Sequence, residues 1–168
     1  CIGWSMLPTK AAICCEFFEH EVRSGRTFVI RVHYDRKTQI GHDGSAPVQS
    51  LTDCAAQLPE LVGFTLDVQP QQAGKKQDSR KGRTQAEFAI RGGAVMVHPP
   101  HFRAGDHGRD PFALYLVSVT EQHPPKGEKP IVWLLLTNEP VLSLEDAWRV
   151  AGWYEKRWIV EEYHKAMK

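Results

Sequence analysis

"SLEDAWRVAGWYEKRWIVEEYHKAMK" occupies residues 143–168, and the way its side chains distribute around a helix decides how the rest of the chain is read. The stretch contains no proline and is rich in helix-favouring residues. Ser143 followed three positions on by Asp146 makes a capping-box-like start. One long helix is predicted, or two with a break near Gly152. At about 100° per residue, Tyr154, Arg157, Glu161 and Lys168 fall at roughly 0°, −60°, −20° and −40°, so they share one stripe. Ile159, Val160, Tyr163, Ala166 and Met167 fall on the opposite side, which predicts that the helix buries that side and turns the Tyr/Arg/Glu/Lys stripe outward. Trp158 lies at about +40°, beside the stripe and away from the apolar side.

Upstream of this helix the pattern changes period. "CCEFFEHEVRSG" (14–25) reads as a short helix with Phe17 and Phe18 toward a core and Gly25 as its stop. "RTFVIRVHY" (26–34) alternates as a strand does. "SLTDCAAQL" (50–58) is one or two helical turns opened by Ser50, and "GFTLDVQ" (63–69) is another period-two segment. "KKQDSRKGR" (75–83) is a basic stretch with no apolar anchor, hence a loop. "TQAEFAIR" (84–91), "GAVMVHP" (93–99) and "FALYLVSV" (112–119) are expected as separate strands, and "PPKGEKP" (124–130) as a tight turn before "IVWLLLT" (131–137). The middle of the chain is therefore a mostly antiparallel β unit.

Composition narrows the class. With 42% apolar and 24% charged residues the 168-residue chain has the make-up of one globular domain, and its longest apolar runs are too short to span a bilayer. Lys and Arg total 21 against 20 Asp and Glu, so net charge alone announces no polyanionic partner. Cys1, Cys14, Cys15 and Cys54 include no C-x-x-C pair, which fits neither a zinc ribbon nor a disulfide scaffold and points to a reducing cytosol. In "HPPH" (98–101) two prolines keep His98 and His101 off a metal-binding helix, and no third ligand is apparent. The chain opens on Cys1 with no basic-then-apolar leader, so it reads as a fragment or a processed product.

Two readings of the stripe stand side by side. It can be a solvated face with Glu161 and Lys165 paired at i,i+4. Alternatively, a carboxylate flanked by Tyr, Arg and Lys suits a phosphodiester site, the carboxylate holding a divalent metal and the cations taking phosphate oxygens. Trp158 favours the second, because a Trp beside a polar stripe wants a partner to pack against. Trp133, next to Leu134, Leu135 and Leu136, reads from its own neighbours as a core strand residue.

The spacing Tyr154-(2)-Arg157-(3)-Glu161-(6)-Lys168 resembles, residue for residue, the signature of bacterial insertion-sequence transposases of the DDE type, in particular the insertion-sequence-four group. The likeness continues through "PPKGEKPIVWLLLTNEPVLSLEDAWRV" (124–150) and less clearly through "RTFVIRVHYDRK" (26–37), spanning roughly residues 14–168. The resemblance implies an α+β fold: a partial ribonuclease-H-like core with a β-rich insertion and a C-terminal catalytic helix. Residues 1–24 would be a divergent remnant of the core with a short helix, 25–136 the insertion, and 137–168 the signature helix region. It implies that Glu161 is the catalytic carboxylate and a ligand of Mg²⁺ or Mn²⁺. Tyr154, Arg157 and Lys168 would grip phosphates near a transposon end, with Lys165 beside them. Trp133 would receive a base flipped out of the duplex, Trp158 would line the same region, and Arg31 would approach the DNA. The implied partners are double-stranded transposon-end DNA and a second protomer in the DNA complex, with no membrane and a cytoplasmic, nucleoid-associated location in a bacterium.

The chain departs from the family at its other carboxylates. Counting back without gaps from Arg31, one family Asp falls at about Thr9, inside "LPTKAAICC" (7–15), which holds no carboxylate; the other belongs upstream of Cys1. "CIGWSMLPTKAAIC" (1–14) reads as unrelated sequence joined to a family segment, as a truncation or frame change would produce. The alternative to an active segment is therefore an inactive remnant that only binds DNA or a transposase protomer. A third class, a β-rich module whose terminal helix meets a protein partner, is separated from both by a gel shift on duplex DNA.

Overall fold

The computed structural model describes residues 15–32, 35–67, 85–99 and 110–166, with side chains from Phe18 to Lys156 within those ranges. In chain order the elements are α1 (Cys15–Arg23), β1 (Val29–Arg31), β2 (Lys37–Ile40), β3 (Gln49–Ser50), α2 (Leu51–Gln57), β4 (Glu60–Asp67), β5 (Gln85–Val97), β6 (Phe112–Glu121), β7 (Val132–Thr137) and α3 (Leu144–Ala166). The fold is α+β. The strands make one antiparallel sheet in the order β1-β7-β6-β5-β2-β3, with β4 also pairing with β5.

Local chemistry sets the element ends. Gly25, with φ of 63°, stops α1 in the left-handed region where glycine pays no steric penalty. Ser50 caps α2, its Oγ accepting from the Asp53 N–H at 3.0 Å. Ser143 and Asp146 form the expected reciprocal cap of α3: Ser143 Oγ accepts from Asp146 N at 3.2 Å, and Asp146 Oδ2 accepts from Ser143 N at 3.1 Å. Gly127, with φ of 87°, turns the chain between β6 and β7.

β5 organises the sheet. On one edge it pairs with β6 from Phe88 to Val97; on the other it takes β4 along its first half and β2 along its last residues. Because side chains alternate, the strand's residues serve two cores. On one face Phe18 of α1, Leu51, Cys54 and Ala55 of α2, and Leu58 cover Val95, Val97, Leu114, Leu116 and Leu136. On the other face Ala147 and Val150 of α3, with Val141, cover Ala86, Phe88, Ile90, Val117, Val119 and Leu135. The helices thus lie on opposite faces of the sheet that the middle of the chain builds.

Three expectations need correction. The segments 84–91 and 93–99 are one strand, not two: Gly92 and Gly93 lie inside β5. A Cβ on Gly92 would stand 2.9 Å from Val141 Cγ1, and one on Gly93 would stand 2.9 Å from Leu58 Cδ2, so the pair thins the sheet where both layers press in rather than ending it. Among the described residues of the strand expected over 26–34, only Val29–Arg31 form it, and Thr27 and Phe28 bond instead to side chains after β7: Thr27 Oγ1 to Glu139 Oε1 at 2.6 Å, and Phe28 N to Asn138 Oδ1 at 3.1 Å. The third concerns α3, which runs unbroken through Gly152 for 23 residues. Its docked face in the described part carries Ala147, Val150, Ala151 and Tyr154, so the Tyr154 side of the helix faces the sheet and not outward. Small residues in the first turns permit close approach, and that contact sets the rotation of the helix. The basic stretch 75–83 and His101 lie outside the described residues.

Candidate nucleic-acid interface

Arg31, Trp133 and Tyr154 come from three elements and meet on the α3 face of the sheet. Arg31 leaves the edge strand β1 opposite Leu135 of β7, with the parity that sends Val29 and Leu135 to the same core. Trp133 stands opposite Val119 two places before Leu135, hence on that face too. Tyr154 reaches them from α3.

The contacts are direct. Arg31 Nη2 donates to the Val132 carbonyl at 3.1 Å, and Arg31 Nη1 donates to Tyr154 Oη at 3.5 Å. The Trp133 and Tyr154 rings meet edge-on, with centroids 5.6 Å apart and planes at 63°. All three residues are half-buried. Trp133 is therefore part of the apolar rim of its core, as its place beside Leu134, Leu135 and Leu136 allows. A guanidinium with two engaged nitrogens, beside two aromatic rings, offers a charged fork and a stacking surface together.

Of the other expected site residues, Trp158, Glu161 and Lys165 lie on the described backbone of α3, as does Arg157, but beyond its described side chains; Lys168 lies outside the described residues. Two carboxylates of the described part, Asp35 and Asp53, are engaged away from this face. Asp35 Oδ1 accepts from Leu51 N at 2.9 Å and from Arg36 N at 3.0 Å, and Asp53 Oδ2 accepts from Ser50 Oγ at 2.7 Å. Both serve the start of α2, against strands at the far edge of the sheet from β1. Among the described residues no three His, Cys, Asp or Glu side chains converge, so these residues do not fit a divalent metal pair by themselves. His98 is engaged through Nε2 with Gln39 Oε1 at 2.7 Å.

Glu121 was not singled out by its sequence context. It is buried, and its Oε2 accepts from Ile131 N at 2.9 Å while Glu121 N donates to the Ile131 carbonyl at 2.9 Å. This pair of hydrogen bonds between strand ends fixes the entry to β7 just before Val132 and Trp133. The signal was available: the alternation of Tyr115, Val117 and Val119 puts position 121 on the same inward face. No model of a known protein family matches the chain. Among the described residues no helix is long and apolar enough to cross a membrane.

Proposed function

We propose that the chain is the C-terminal segment of a DDE transposase of the insertion-sequence-four kind, with a partial ribonuclease-H-like core. In this reading it binds transposon-end duplex DNA, as one of two protomers, in the bacterial cytoplasm. Phosphates are held by Tyr154, Arg157 and Lys168, assisted by Arg31 and Lys165; Trp133 and Trp158 supply stacking surface; Glu161 is the one carboxylate of the signature. The observation that carries this reading is that Tyr154, a member of the signature, touches both Arg31 and Trp133, which the same resemblance picks out from distant parts of the sequence. A cation beside aromatic rings suits phosphate and an unstacked base, where each stacked base contributes on the order of 1–3 kcal/mol.

The reading of an inactive, DNA-binding remnant is favoured by a specific observation: Asp35 and Asp53 are bound into the start of α2. The two readings share DNA binding and differ in cleavage. Gel shift on duplex DNA across a salt series, paired with nicking of supercoiled DNA in Mg²⁺, tests them together. Binding that weakens steeply with salt supports both, through counterion release. Nicking that Glu161→Gln abolishes selects the active segment, whereas binding without nicking selects the remnant. A chain that shifts no duplex at low salt is not a transposase segment of either kind.

A further inference from the structure

We infer that the outer edge of β4 docks an extended protein segment in which apolar residues alternate with Lys or Arg, the segment joining the sheet as a further strand. The inference does not depend on the DNA-binding reading, and it concerns the opposite edge of the sheet from Arg31.

Among the described residues β4 pairs only with β5, so its other edge presents backbone groups with no strand beside them. Sheets commonly blunt such an edge with Pro, Lys or a very short strand. From Val62 to Asp67 β4 stays in continuous register with β5, and its sequence ELVGFTLD holds neither Pro nor Lys and carries charge only at its ends. The edge is built to accept a neighbour.

Its two faces specify which neighbour fits. On the α3 face the Phe64 ring stacks on Phe88 with centroids 5.7 Å apart and lies 4.9 Å from Trp148, which remains 43% exposed. Leu66, the next residue of β4 on this face, is 48% exposed. On the other face Gly63, Thr65 and Asp67 stand opposite Ala89, Glu87 and Gln85. A trough of about 370 Å³ lies there, lined by Glu60, Glu87 and His123 among others and by neither Lys nor Arg. His123 meets Glu87 at 2.9 Å, but the pair is exposed and holds the carboxylate only weakly. Gly63 raises no side chain between the edge and the trough, and only Phe88 O and Glu60 Oε1 lie within 4 Å of where its Cβ would be. Because side chains alternate along a strand, an added segment sets apolar residues against Phe64, Leu66 and Trp148 and sends basic ones over Gly63 toward Glu60 and Glu87. A second copy of the chain fits worse: the antiparallel register that pairs all of β4 with itself sets Glu60 opposite Asp67, like charge against like.

The test uses the full chain and a fluorescein-labelled peptide, Lys-Val-Arg-Val-Lys-Val-Arg-Val, read by anisotropy at moderate salt. Saturable binding is expected, and Trp148→Ser, at an exposed position, should weaken it about tenfold. No binding, or an unchanged affinity in Trp148→Ser, overturns the proposal. Two further peptides carry N-methyl groups on every Val or on every basic residue. Successive N–H groups point to opposite sides of a strand, so one of these peptides should lose binding and the other keep it; equal affinities overturn strand addition. A Glu-Val peptide of the same length should not bind, and binding as tight as that of the basic one overturns the charge assignment. Sedimentation covers the remaining occupant: a dimer of the chain that Leu66→Arg dissociates gives the edge to a second copy and overturns the proposal.

Discussion

The two faces of the sheet are built from different materials. Under α1 and α2 the core is closed: Phe18, Leu51, Leu114, Leu116 and Leu136 are fully buried, and Phe18 packs against Phe28 and Phe112 with ring centroids 5.8 and 5.7 Å away. Under α3 a buried centre that includes Phe88 is rimmed by half-buried rings, namely Phe64, Tyr115, Trp133, Trp153 and Tyr154, with Arg31 bonded to the last of them. Rings left half-exposed still offer area to a partner, whereas rings buried in a closed core do not. The face under the later helix thus keeps ring surface available, and the proposed DNA contact makes use of it.

Substitutions in the two cores should separate these roles. Phe18→Ala should cost about 3–5 kcal/mol in denaturant unfolding, because it empties a site with no exposure. The folded fraction should bind duplex DNA as the wild type does. Trp133→Ala should cost less stability, about 1–2 kcal/mol, since the residue is only half-buried, yet should weaken DNA binding. A Trp133→Ala chain that unfolds like Phe18→Ala while its folded fraction binds DNA normally would make both faces purely structural.

The glycine pair gives a finer comparison. Gly92→Ala sets a new methyl 2.9 Å from Val141 and 3.3 Å from Leu61 on the α3 side, and should cost about 1–3 kcal/mol by overpacking. Gly93→Ala meets only the end of the flexible Leu58 side chain on the α1/α2 side, so its cost should be the smaller of the two. Thermal melts of both variants check the order. A reversed order would mean that the α1/α2 layer is the less yielding one.

The smallest effect concerns the cap of α3. Asp146 is held below its ordinary carboxyl pKa, first by the Leu142 backbone N–H, then by Ser143 and Arg149. A folded-state value below the unfolded one contributes stability that is complete above the unfolded value and is lost as pH falls through the folded one. The first turn of α3 should therefore loosen in acid and not in base. Amide exchange of residues 144–147 across that range tests the sign, with Ser143→Ala, worth about 1 kcal/mol, as the reference for a missing cap.

What was legible in the sequence divides by range. Caps and stops at Gly25, Ser50, Ser143 and Gly127 depend on neighbours a few residues away, and they stand where local chemistry put them. Gly92 and Gly93 were misread as a strand break because glycine's local meaning is a turn, whereas here its purpose is room for Val141 and Leu58, both distant in sequence. The rotation of α3 was misread because apolar residues occur on both sides of it. The larger ones lie late in the helix, while the small Ala147 and Ala151 mark the side that approaches the sheet. Arg31, Trp133 and Tyr154 were legible as candidates through the resemblance, but their mutual contact was not, since pairing across the whole chain leaves no periodic trace.

The pairing of β1 with β7 also bears on the order in which the molecule assembles. The hairpins β5–β6 and β6–β7 join neighbours in sequence, whereas the Arg31–Tyr154 contact closes a separation of 123 residues. Loop closure over that length is paid before any contact rewards it, so β1 should dock onto an edge that the hairpins have already made. In a stopped-flow refolding series, destabilising changes in β1 should chiefly speed unfolding, and changes in β6 should slow folding. The Arg31 guanidinium is then a late arrival, and a nascent chain does not bring Arg31 and Tyr154 together until α3 has been made.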